Sequence, residues 1–276
     1  MAKRATKSSQ RCLAESMRAL LTLYQHRRLL QATVLQGLKA RTSGNVLGAI
    51  WLVLYPLLFL LMYAVVFAHI LQVRLPGLGT ADYVLTIFCG LVPFLAFSEA
   101  FGIGTPSLVA NRGLLRNTLF PVELVVAKDV LVGHASMGLG MLMVWGACLY
   151  GGHIHLSHLV FPLIFLLQIV MALGLVWITA TLTIFFRDLQ QATPILILFM
   201  MLVSPIAYTD DMVPAGLKPM LDFNPLARLM SLYRSVLLEG QLPVTDLLIF
   251  AAIAFIIFFV GFAFISRLKP LFADYV

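Results

Sequence analysis

Three histidines lie within six residues in the stretch GGHIHLSH, residues 151–158. Imidazole nitrogens are frequent ligands of zinc and other transition metals, so this spacing is compatible with a metal centre. A catalytic site of that kind also needs a carboxylate that orients a ligand or acts as a general base, and none is adjacent to this stretch. A polar loop that keeps helix ends hydrated explains the same residues without a metal. A metal enzyme using His153, His155 and His158 is therefore one alternative.

A loop that could hold the phosphates of ATP is absent from the sequence, because no GxxxxGK motif followed by Ser or Thr occurs. The nearest Gly-rich stretch, residues 102–106 (GIGTP), contains no lysine. The chain therefore cannot hydrolyse ATP by that route, and no cofactor is expected on it. If ATP and Mg²⁺ drive its activity, they bind to a separate polypeptide.

The composition is that of an integral membrane protein. Hydrophobic residues make up 61% of the 276 residues and charged residues only 11%, whereas soluble domains have roughly 45–50% apolar and about 25% charged residues. The net charge of +7 does not indicate a nucleic-acid partner, because the basic residues flank hydrophobic runs instead of clustering on a soluble surface.

Six apolar runs are predicted to cross a membrane, since about 20 helical residues span a hydrocarbon core of roughly 30 Å. The runs are residues 46–71, 83–103, 122–150, 159–185, 193–208 and 244–266. The polar, Pro-rich segment 209–243 follows the shortest run and is predicted to bend back into the membrane. Non-helical backbone at that depth is tolerated only inside protein or beside water.

The distribution of Lys and Arg predicts that both termini are cytoplasmic. Residues 1–41 contain nine basic residues, and the connections on the same side add Arg112, Arg116, Lys128, Arg187, Arg267 and Lys269. This orientation leaves Arg74, Lys218, Arg228 and Arg234 on the outside. The prediction is an all-α membrane protein with six transmembrane helices.

Residues 1–45 are predicted to form a cytoplasmic basic arm, followed by the transmembrane domain, residues 46–276. Apolar residues recur at helical spacing between Leu13 and Leu38, with basic residues between them. This pattern favours an amphipathic helix that lies on the membrane surface, and a solvated tail that fixes topology is the alternative.

Charged residues inside apolar runs are costly and are often functional. Lys128 and Asp129 are adjacent opposite charges near a helix end, which favours a local structural pair. Glu99 either faces a polar interior or lies near the cytoplasmic interface. Secondary transporters usually couple through midplane carboxylates and paired repeats, and with Glu99 as the main candidate and no obvious repeat, that class is disfavoured.

Several short motifs, in this order and spacing, resemble those of the membrane subunit of ABC-2-type polysaccharide exporters. The motifs are Lys39-Ala40-Arg41 through Gly48 and Trp51 to Pro56, Gly90-Leu91-Val92-Pro93-Phe94, Asn111 with Leu114-Leu115 and Phe120-Pro121, Phe186-Arg187-Asp188-Leu189, Ser204-Pro205-Ile206-Ala207-Tyr208, Pro214, and Asn224-Pro225.

The resemblance implies a homodimeric channel in the bacterial cytoplasmic (inner) membrane, assembled with two copies of a separate ABC ATPase. Such exporters move lipid-linked polysaccharides such as O-antigen, capsule or teichoic acid, and envelope export proteins are further possible partners. By similarity, the connection that couples to the ATPase would contain Asn111, Arg112, Leu114, Leu115, Arg116 and Phe120. An outer re-entrant gate would contain Tyr208, Asp210, Asp211, Asn224, Pro225, Arg228 and Arg234. The alternative for this last group is structural, since Asp222 or Asn224 could cap the helix that begins at Pro225.

Aromatic rings of the first two predicted helices are candidates for the channel lining, because sugars stack their apolar faces on aromatic rings and a polymer needs many weak contacts. The candidates are Trp51, Tyr55, Phe59, Tyr63, Phe88, Phe94 and Phe97. Tyr55, Phe59 and Tyr63 recur every four residues and share a helix face. The alternative is that this face meets lipid or other helices.

Two other functions stay open at this point. An ABC-2 permease for a drug or a lipid would need a narrower lumen and could lack the long outer segment. A membrane-embedded metal enzyme would lose its activity when His153, His155 and His158 are all replaced by Ala, whereas an exporter is expected to tolerate that change.

Overall fold

The computed structural model describes residues 21–44, 46–66, 79–115, 121–206, 208, 213, 216, 221 and 223–274. Every regular element in these ranges is helical, and none of them contains a β-strand. The principal helices are α1 (Arg27–Thr42), α2 (Trp51–Val65), α3 (Thr80–Gly104), α4 (Val122–Tyr150), α5 (Phe161–Phe185), α6 (Leu189–Val203), α7 (Pro225–Arg234) and α8 (Val244–Leu268).

Four helices are long and apolar enough to cross a membrane: Ala81–Gly104, Val122–Tyr150, Leu156–Phe185 and Val244–Phe272. They contain 24 to 30 residues, which corresponds to lengths of about 36–45 Å. The helices α2 and α6 are apolar but have only 15 residues each, or about 22 Å. Part of the first predicted run, residues 67–71, lies outside the described residues. Six spans with both termini in the cytoplasm therefore stay a prediction.

The helices α5 and α8 cross with their backbones in contact. A Cβ atom on Gly174 would lie 2.3 Å from the carbonyl oxygen of Ile257, and one on Gly261 would lie 2.1 Å from the carbonyl oxygen of Gly174. Such close approach requires glycine, and small residues at helix crossings are typical of membrane proteins. The helices α3 and α4 meet in the same way, because a Cβ atom on Gly133 would lie 2.6 Å from Cα of Ala100.

The helix α3 lies at the centre of the bundle and α7 is inserted beside it. Gln168 of α5 is fully buried and donates from Nε2 to the carbonyl oxygen of Pro93 in α3 at 2.9 Å. The hydroxyl of Tyr233 in α7 donates to Oε1 of Gln168 at 3.0 Å. The buried amide therefore joins three helices, and both of its polar atoms are satisfied, as buried polar atoms usually are.

The helices α1 and α2 pack on the outside of the bundle. The Val132 side chain of α4 lies 2.8 Å from the position that a Cβ atom on Gly37 of α1 would occupy. The helix α2 contacts α4 where Pro56 lies over Gly140, with 3.2 Å between Cβ of Pro56 and a Cβ placed on the glycine. Much of the remaining surface of α2 is exposed. The arm is thus helical over residues 21–25 and Arg27–Thr42. Residues 1–20 lie outside the described residues, and the membrane placement of the arm stays a prediction.

Candidate functional site

The connection between α3 and α4 begins with two short helical turns, Ser107–Ala110 and Arg112–Leu115. Residues 116–120 lie outside the described part of the chain, and so do the side chains of residues 114 and 115. Arg116 and Phe120 therefore have no structural account, and Leu114 and Leu115 are described by their backbone alone. The candidates with described side chains in this connection are Asn111 and Arg112.

Asn111 ties the connection to α4. Its Nδ2 donates to the carbonyl oxygen of Ser107 at 2.7 Å and to the Asp129 carboxylate at 3.3 Å. Its Oδ1 accepts a hydrogen bond from the Lys128 ammonium group at 3.4 Å. Lys128 and Asp129 also form an ion pair at 3.0 Å, so the structural pairing expected of these two charges is confirmed. The connection is thereby fastened to the first two turns of α4.

A stack of aromatic rings runs along α2. The ring centroids of Tyr55 and Phe59 are 6.2 Å apart and those of Phe59 and Tyr63 are 4.8 Å apart, and both pairs are stacked. The spacing of four residues places successive rings about 6 Å apart along the helix axis. Trp51 and Tyr55, at the beginning of the helix, are 39% and 51% exposed. Trp51 and the first ring of the stack, Tyr55, are therefore exposed at the surface of the chain.

The other three predicted channel rings lie elsewhere. Phe88, Phe94 and Phe97 of α3 are 9%, 1% and 1% exposed and belong to the hydrophobic core. They are buried because α3 is surrounded by α4, α5, α6 and α7 instead of lying at the surface. Of the seven predicted channel rings, the two that are exposed therefore lie on α2, and the three on α3 are buried.

A cavity of about 290 Å³ lies where the end of α1 meets the beginning of α2. Trp51 and Tyr55 line it from α2, and Glu99 and Ser136 line it from α3 and α4. Arg41, at the end of α1, forms an ion pair with Glu99 and donates a hydrogen bond to the Ser136 hydroxyl. The Glu99 side chain lies near the end of α3 and is paired with Arg41 of the arm.

Arg234 binds several backbone carbonyl groups at the end of the bundle where α3 begins. In the predicted orientation this is the outer end. It is 7% exposed, and Nη2 donates to the carbonyl oxygens of Pro205 at 2.7 Å and Ile206 at 2.8 Å. Nη1 donates to the carbonyl oxygen of Tyr208 at 3.3 Å and Nε to that of Thr86 at 3.1 Å. The guanidinium therefore supplies the donors that the backbone needs where α6 stops.

The sequence Ser204-Pro205 explains why α6 ends. Proline has no amide hydrogen and disfavours helical backbone in the residue before it, and Ser204 accordingly has φ −91° and ψ 138°. Asn224 then caps α7, because its Oδ1 accepts a hydrogen bond from the amide of Leu226 at 2.9 Å. Pro225 occupies the first position of that helix. The structural alternative, a cap formed by Asp222 or Asn224, is thus confirmed for Asn224. Its Nδ2 also donates to the Ser204 hydroxyl at 3.2 Å.

The remaining gate candidates are only partly described. Arg228 forms an ion pair with Asp246 near the beginning of α8. The hydroxyl of Tyr208 donates to the carbonyl oxygen of Val203 at 3.2 Å. Asp210, Asp211 and Asp222 lie outside the described residues.

Two of the three histidines hold the turn that follows α7. The Trp145 indole can only donate, so His158 Nδ1 accepts its hydrogen bond at 3.1 Å. His158 Nε2 consequently carries a proton and donates to the carbonyl oxygen of Leu237, also at 3.1 Å. The His153 ring contacts the carbonyl oxygen of Leu238 at 3.1 Å and the Asp82 carboxylate at 3.2 Å. We call His153 and His158 the histidine clasp.

The clasp has no free imidazole nitrogen for a metal ion, since both nitrogens of each ring are already hydrogen-bonded. In the described part of the chain, no group of three His, Cys, Asp or Glu side chains is placed to hold a metal ion. The third imidazole, His155, packs over Gly240, where a Cβ atom would lie 2.6 Å from the ring. Gly240 has φ +69°, a backbone conformation that favours glycine.

Sequence reasoning missed two features of the site. It did not pair Arg41 with Glu99, although an arginine at the end of the arm and a lone carboxylate in the second apolar run are complementary charges. It also passed over Gln168, the amide in the long apolar run of α5 that accepts from Tyr233. A single polar side chain in such an apolar run requires a buried hydrogen-bond partner. Gln168 could have been singled out from the sequence on that ground.

The chain resembles known export permeases over most of its length. Residues 28–238 match the family model for the ABC-2 type transporter. The O-antigen export system permease protein RfbA of Klebsiella pneumoniae is 29% identical over 242 residues, which cover 87% of this chain and 91% of that protein. The protein of the same name from Myxococcus xanthus is 28% identical over 94% of this chain and 99% of its own length. The polysialic acid transport protein KpsM of Escherichia coli is 26% identical over 77% of this chain and 82% of its own length. This chain belongs to the ABC-2 type transporter family.

Proposed function

We propose that the chain is the channel-forming membrane subunit of an ATP-driven exporter that moves lipid-linked polysaccharide across the bacterial inner membrane. The similarity to two O-antigen export permeases over 87% and 94% of the chain carries the proposal. Their names state the export of O-antigen, and the related KpsM is named for polysialic acid transport. The cargo class is accordingly O-antigen, capsular polysaccharide or teichoic acid.

The ring stack on α2 supports a polymeric cargo. Tyr55, Phe59 and Tyr63 present one aromatic surface after another along a single helix. A polymer that slides past such a series exchanges equivalent weak contacts and is not trapped in one deep site. The exposed beginning of α2 is the place where the chain would first meet the sugar.

The chain works as a pair in this proposal. Large apolar side chains remain exposed on both of the shorter apolar helices, including Leu57 and Leu61 of α2 and Ile195 and Leu202 of α6. A second copy would cover part of this surface and place two ring stacks around one passage. The outer end of that passage would be bounded by the segment between α6 and α7. Of its described residues, Pro205, Ile206 and Tyr208 are bound by Arg234 and Ser204 by Asn224.

Energy comes from two copies of a separate ATPase subunit, which bind ATP and Mg²⁺. The connection between α3 and α4 is the proposed docking element, because Asn111 fastens it to Lys128 and Asp129 of α4. A displacement of this connection would therefore be transmitted to α4, and α4 carries α2 on its surface. The permease itself contributes no catalytic residue.

Depletion of the chain in its own cells tests the proposal. Surface polysaccharide is fractionated and its sugars are analysed after depletion, with a complemented strain as the control. Polymer that accumulates on the cytoplasmic face while synthesis continues is the expected result. Normal surface polymer would contradict the proposal and favour transport of a small molecule or a lipid.

A further inference from the structure

The loop between α4 and α5, residues 151–158, binds the π-helical turn Ser235–Glu239 that follows α7. Three side chains of the loop reach three consecutive carbonyl oxygens of this turn. The pairs are Ser157 Oγ with Val236 at 2.7 Å, His158 Nε2 with Leu237 at 3.1 Å and His153 Nδ1 with Leu238 at 3.1 Å. The last carbonyl groups of a helix lack partners within the helix, and here the loop supplies the donors.

His153 faces a hydrogen-bond acceptor at each of its two ring nitrogens. Nδ1 lies 3.1 Å from the carbonyl oxygen of Leu238, and Nε2 lies 3.2 Å from Oδ1 of the Asp82 carboxylate. A carbonyl oxygen and an ionised carboxylate can only accept, and a neutral imidazole has a single N–H group. The neutral ring therefore leaves one acceptor without a donor and sets a nitrogen lone pair against an oxygen. Only the doubly protonated ring donates to both.

The charges around His153 favour a cation. Asp82, in the first turn of α3, faces the ring directly. The other titratable groups nearby are His155 and His158 of the same loop and Glu239 of the π-helical turn, whose carboxylate accepts from the Ser235 hydroxyl at 3.1 Å. Arg234, at the end of α7, donates to the carbonyl oxygens of Thr86 and Pro205. The carboxylate of Asp82 is thus the charge that a second proton on His153 meets.

His158 responds to a proton in the opposite sense. Its Nδ1 accepts from the Trp145 indole and its Nε2 donates to the carbonyl oxygen of Leu237, so the neutral ring satisfies both partners. A second proton on Nδ1 would point at the indole N–H group and break that bond. Acid therefore completes the contacts of His153 and disrupts those of His158. The sign of a pH response distinguishes the two rings.

We infer that His153 is a proton-binding site that sets how firmly the loop 151–158 holds the turn after α7. With the proton bound, the ring links Leu238 to Asp82, and thereby joins the turn after α7 to the beginning of α3. When the proton leaves, one of the two bonds is lost and the turn opens more often. In the predicted orientation this end of the bundle faces the outside. Acidification of the outside therefore tightens the outer end of the bundle.

Hydrogen–deuterium exchange of the full chain in lipid nanodiscs tests the inference. It is measured at about pH 5.5 and about pH 8, which bracket the range in which histidine ordinarily changes its charge. The reporters are the amides of Gly240 and Gln241, which both donate to the carbonyl oxygen of Ser235 and exchange when the turn opens. His153→Gln is the neutral mimic, because its amide has one donor and one acceptor and cannot take up the proton.

The exchange rate of His153→Gln is divided by that of the wild type at the same pH, which cancels the direct effect of pH on exchange. The variant is expected to exchange about five to ten times faster than the wild type near pH 5.5, where it lacks a charge-assisted hydrogen bond. The two should agree within about twofold near pH 8, where the wild-type ring also lacks one bond. Equal ratios at the two pH values, or a larger ratio at the higher one, would overturn the inference.

Two further variants separate the proton from the fold. In Asp82→Asn, the new amide can donate to His153 Nε2, so the neutral ring satisfies both of its neighbours. The turn should then stay closed near pH 8 as well, with a normal amount of folded protein by size-exclusion chromatography. His155→Gln is the control, because His155 makes neither of the two bonds of His153, and the wild-type response should persist. Loss of the response in His155→Gln, with a persisting response in Asp82→Asn, would assign the proton to His155 and overturn the inference.

The inference goes beyond the proposed function and does not depend on it. Exchange is measured on the protein alone, so normal surface polymer after depletion would overturn the exporter function and leave the proton site standing. An exchange ratio that does not change with pH would overturn the proton site and leave the exporter function standing.

Discussion

Gly90 leaves the space that the Arg234 guanidinium occupies, since a Cβ atom at position 90 would lie 3.1 Å from Nη2 and 3.6 Å from Cα of Ile206. Gly90→Ala should therefore push Arg234 away from the carbonyl oxygens of Pro205 and Ile206. We expect the unfolding free energy to fall by about 1–3 kcal/mol, as for other overpacked sites. The loss of folded protein on heating in detergent, followed by size-exclusion chromatography, measures the effect.

Gly138→Ala is the control for that change. A Cβ atom on Gly138 of α4 meets nothing within 4 Å, and alanine stabilises a helix relative to glycine by about 0.5–1 kcal/mol. This variant should be unchanged or slightly more stable. Equal losses in the two variants would show that the space beside Arg234 is not the cause.

Arg234→Lys removes the planar group that reaches four carbonyl oxygens. A lysine has one ammonium group and cannot reproduce this geometry, so at least one buried carbonyl group should lose its donor at a cost of about 1–3 kcal/mol. Surface polysaccharide should fall with the amount of folded protein. Heating curves and export are measured together.

Arg228→Lys, in the same helix, is the comparison. Its partner Asp246 is half exposed, and such ion pairs contribute only about 0–1 kcal/mol. Near-normal stability and export are expected. A larger loss at Arg228 than at Arg234 would reverse the roles that the structure gives to these two side chains.

Asn111→Asp should uncouple the connection from α4, because the new carboxylate faces Asp129 where an amide donor stood at 3.3 Å. Like charges at that distance repel, so export should fall while the folded protein persists. The double variant Asn111→Asp with Asp129→Asn again places one amide beside one carboxylate, and Lys128 stays next to both. Export should recover in the double variant. Equal export by the single and the double variants would show that this contact is not used.

His158→Ala should destabilise the protein even though the proposed function needs no metal. It leaves the part-buried Trp145 indole and the carbonyl oxygen of the buried Leu237 without partners. The buried carbonyl group alone should cost about 1–3 kcal/mol. The tolerance expected of an exporter toward loss of all three histidines is therefore revised for His158. His155→Ala breaks neither of these bonds and is the control. Chelators should leave the heating curve of the wild-type protein unchanged, and a chelator-induced loss would restore the metal alternative.

The long helices could be predicted from hydrophobicity alone. The run 122–150 matches α4 at both ends, because length and apolar composition suffice for a helix that spans a membrane. The predicted run 193–208 was placed less well. Its helix begins earlier, at Leu189, and ends at Val203, where Ser204-Pro205 stops it.

The contacts between distant residues could not be predicted in the same way. A cap formed by Asp222 or Asn224 could be named as the alternative to a gate role because capping is local in sequence. Arg234 was named as a gate residue, but its partners lie 26 to 148 residues away, and nothing in its local sequence specifies them. Phe94 and Phe97 were predicted as channel rings because they are aromatic residues of the second predicted helix. Their burial depends on the central position of α3, which the local sequence does not specify.

The backbone contact between α5 and α8 determines which parts of the protein can move. Gly174 and Gly261 are in direct backbone contact, so no side chain separates the two helices at this point. If one helix slid along the other, the carbonyl group of Ile257 would collide with the next turn of α5. Protein interiors packed this closely resist gradual deformation. The helices α5 and α8 are therefore expected to move together as one rigid body. In the proposed passage, widening would therefore come from α2 or α6, because both have few contacts with the rest of the bundle.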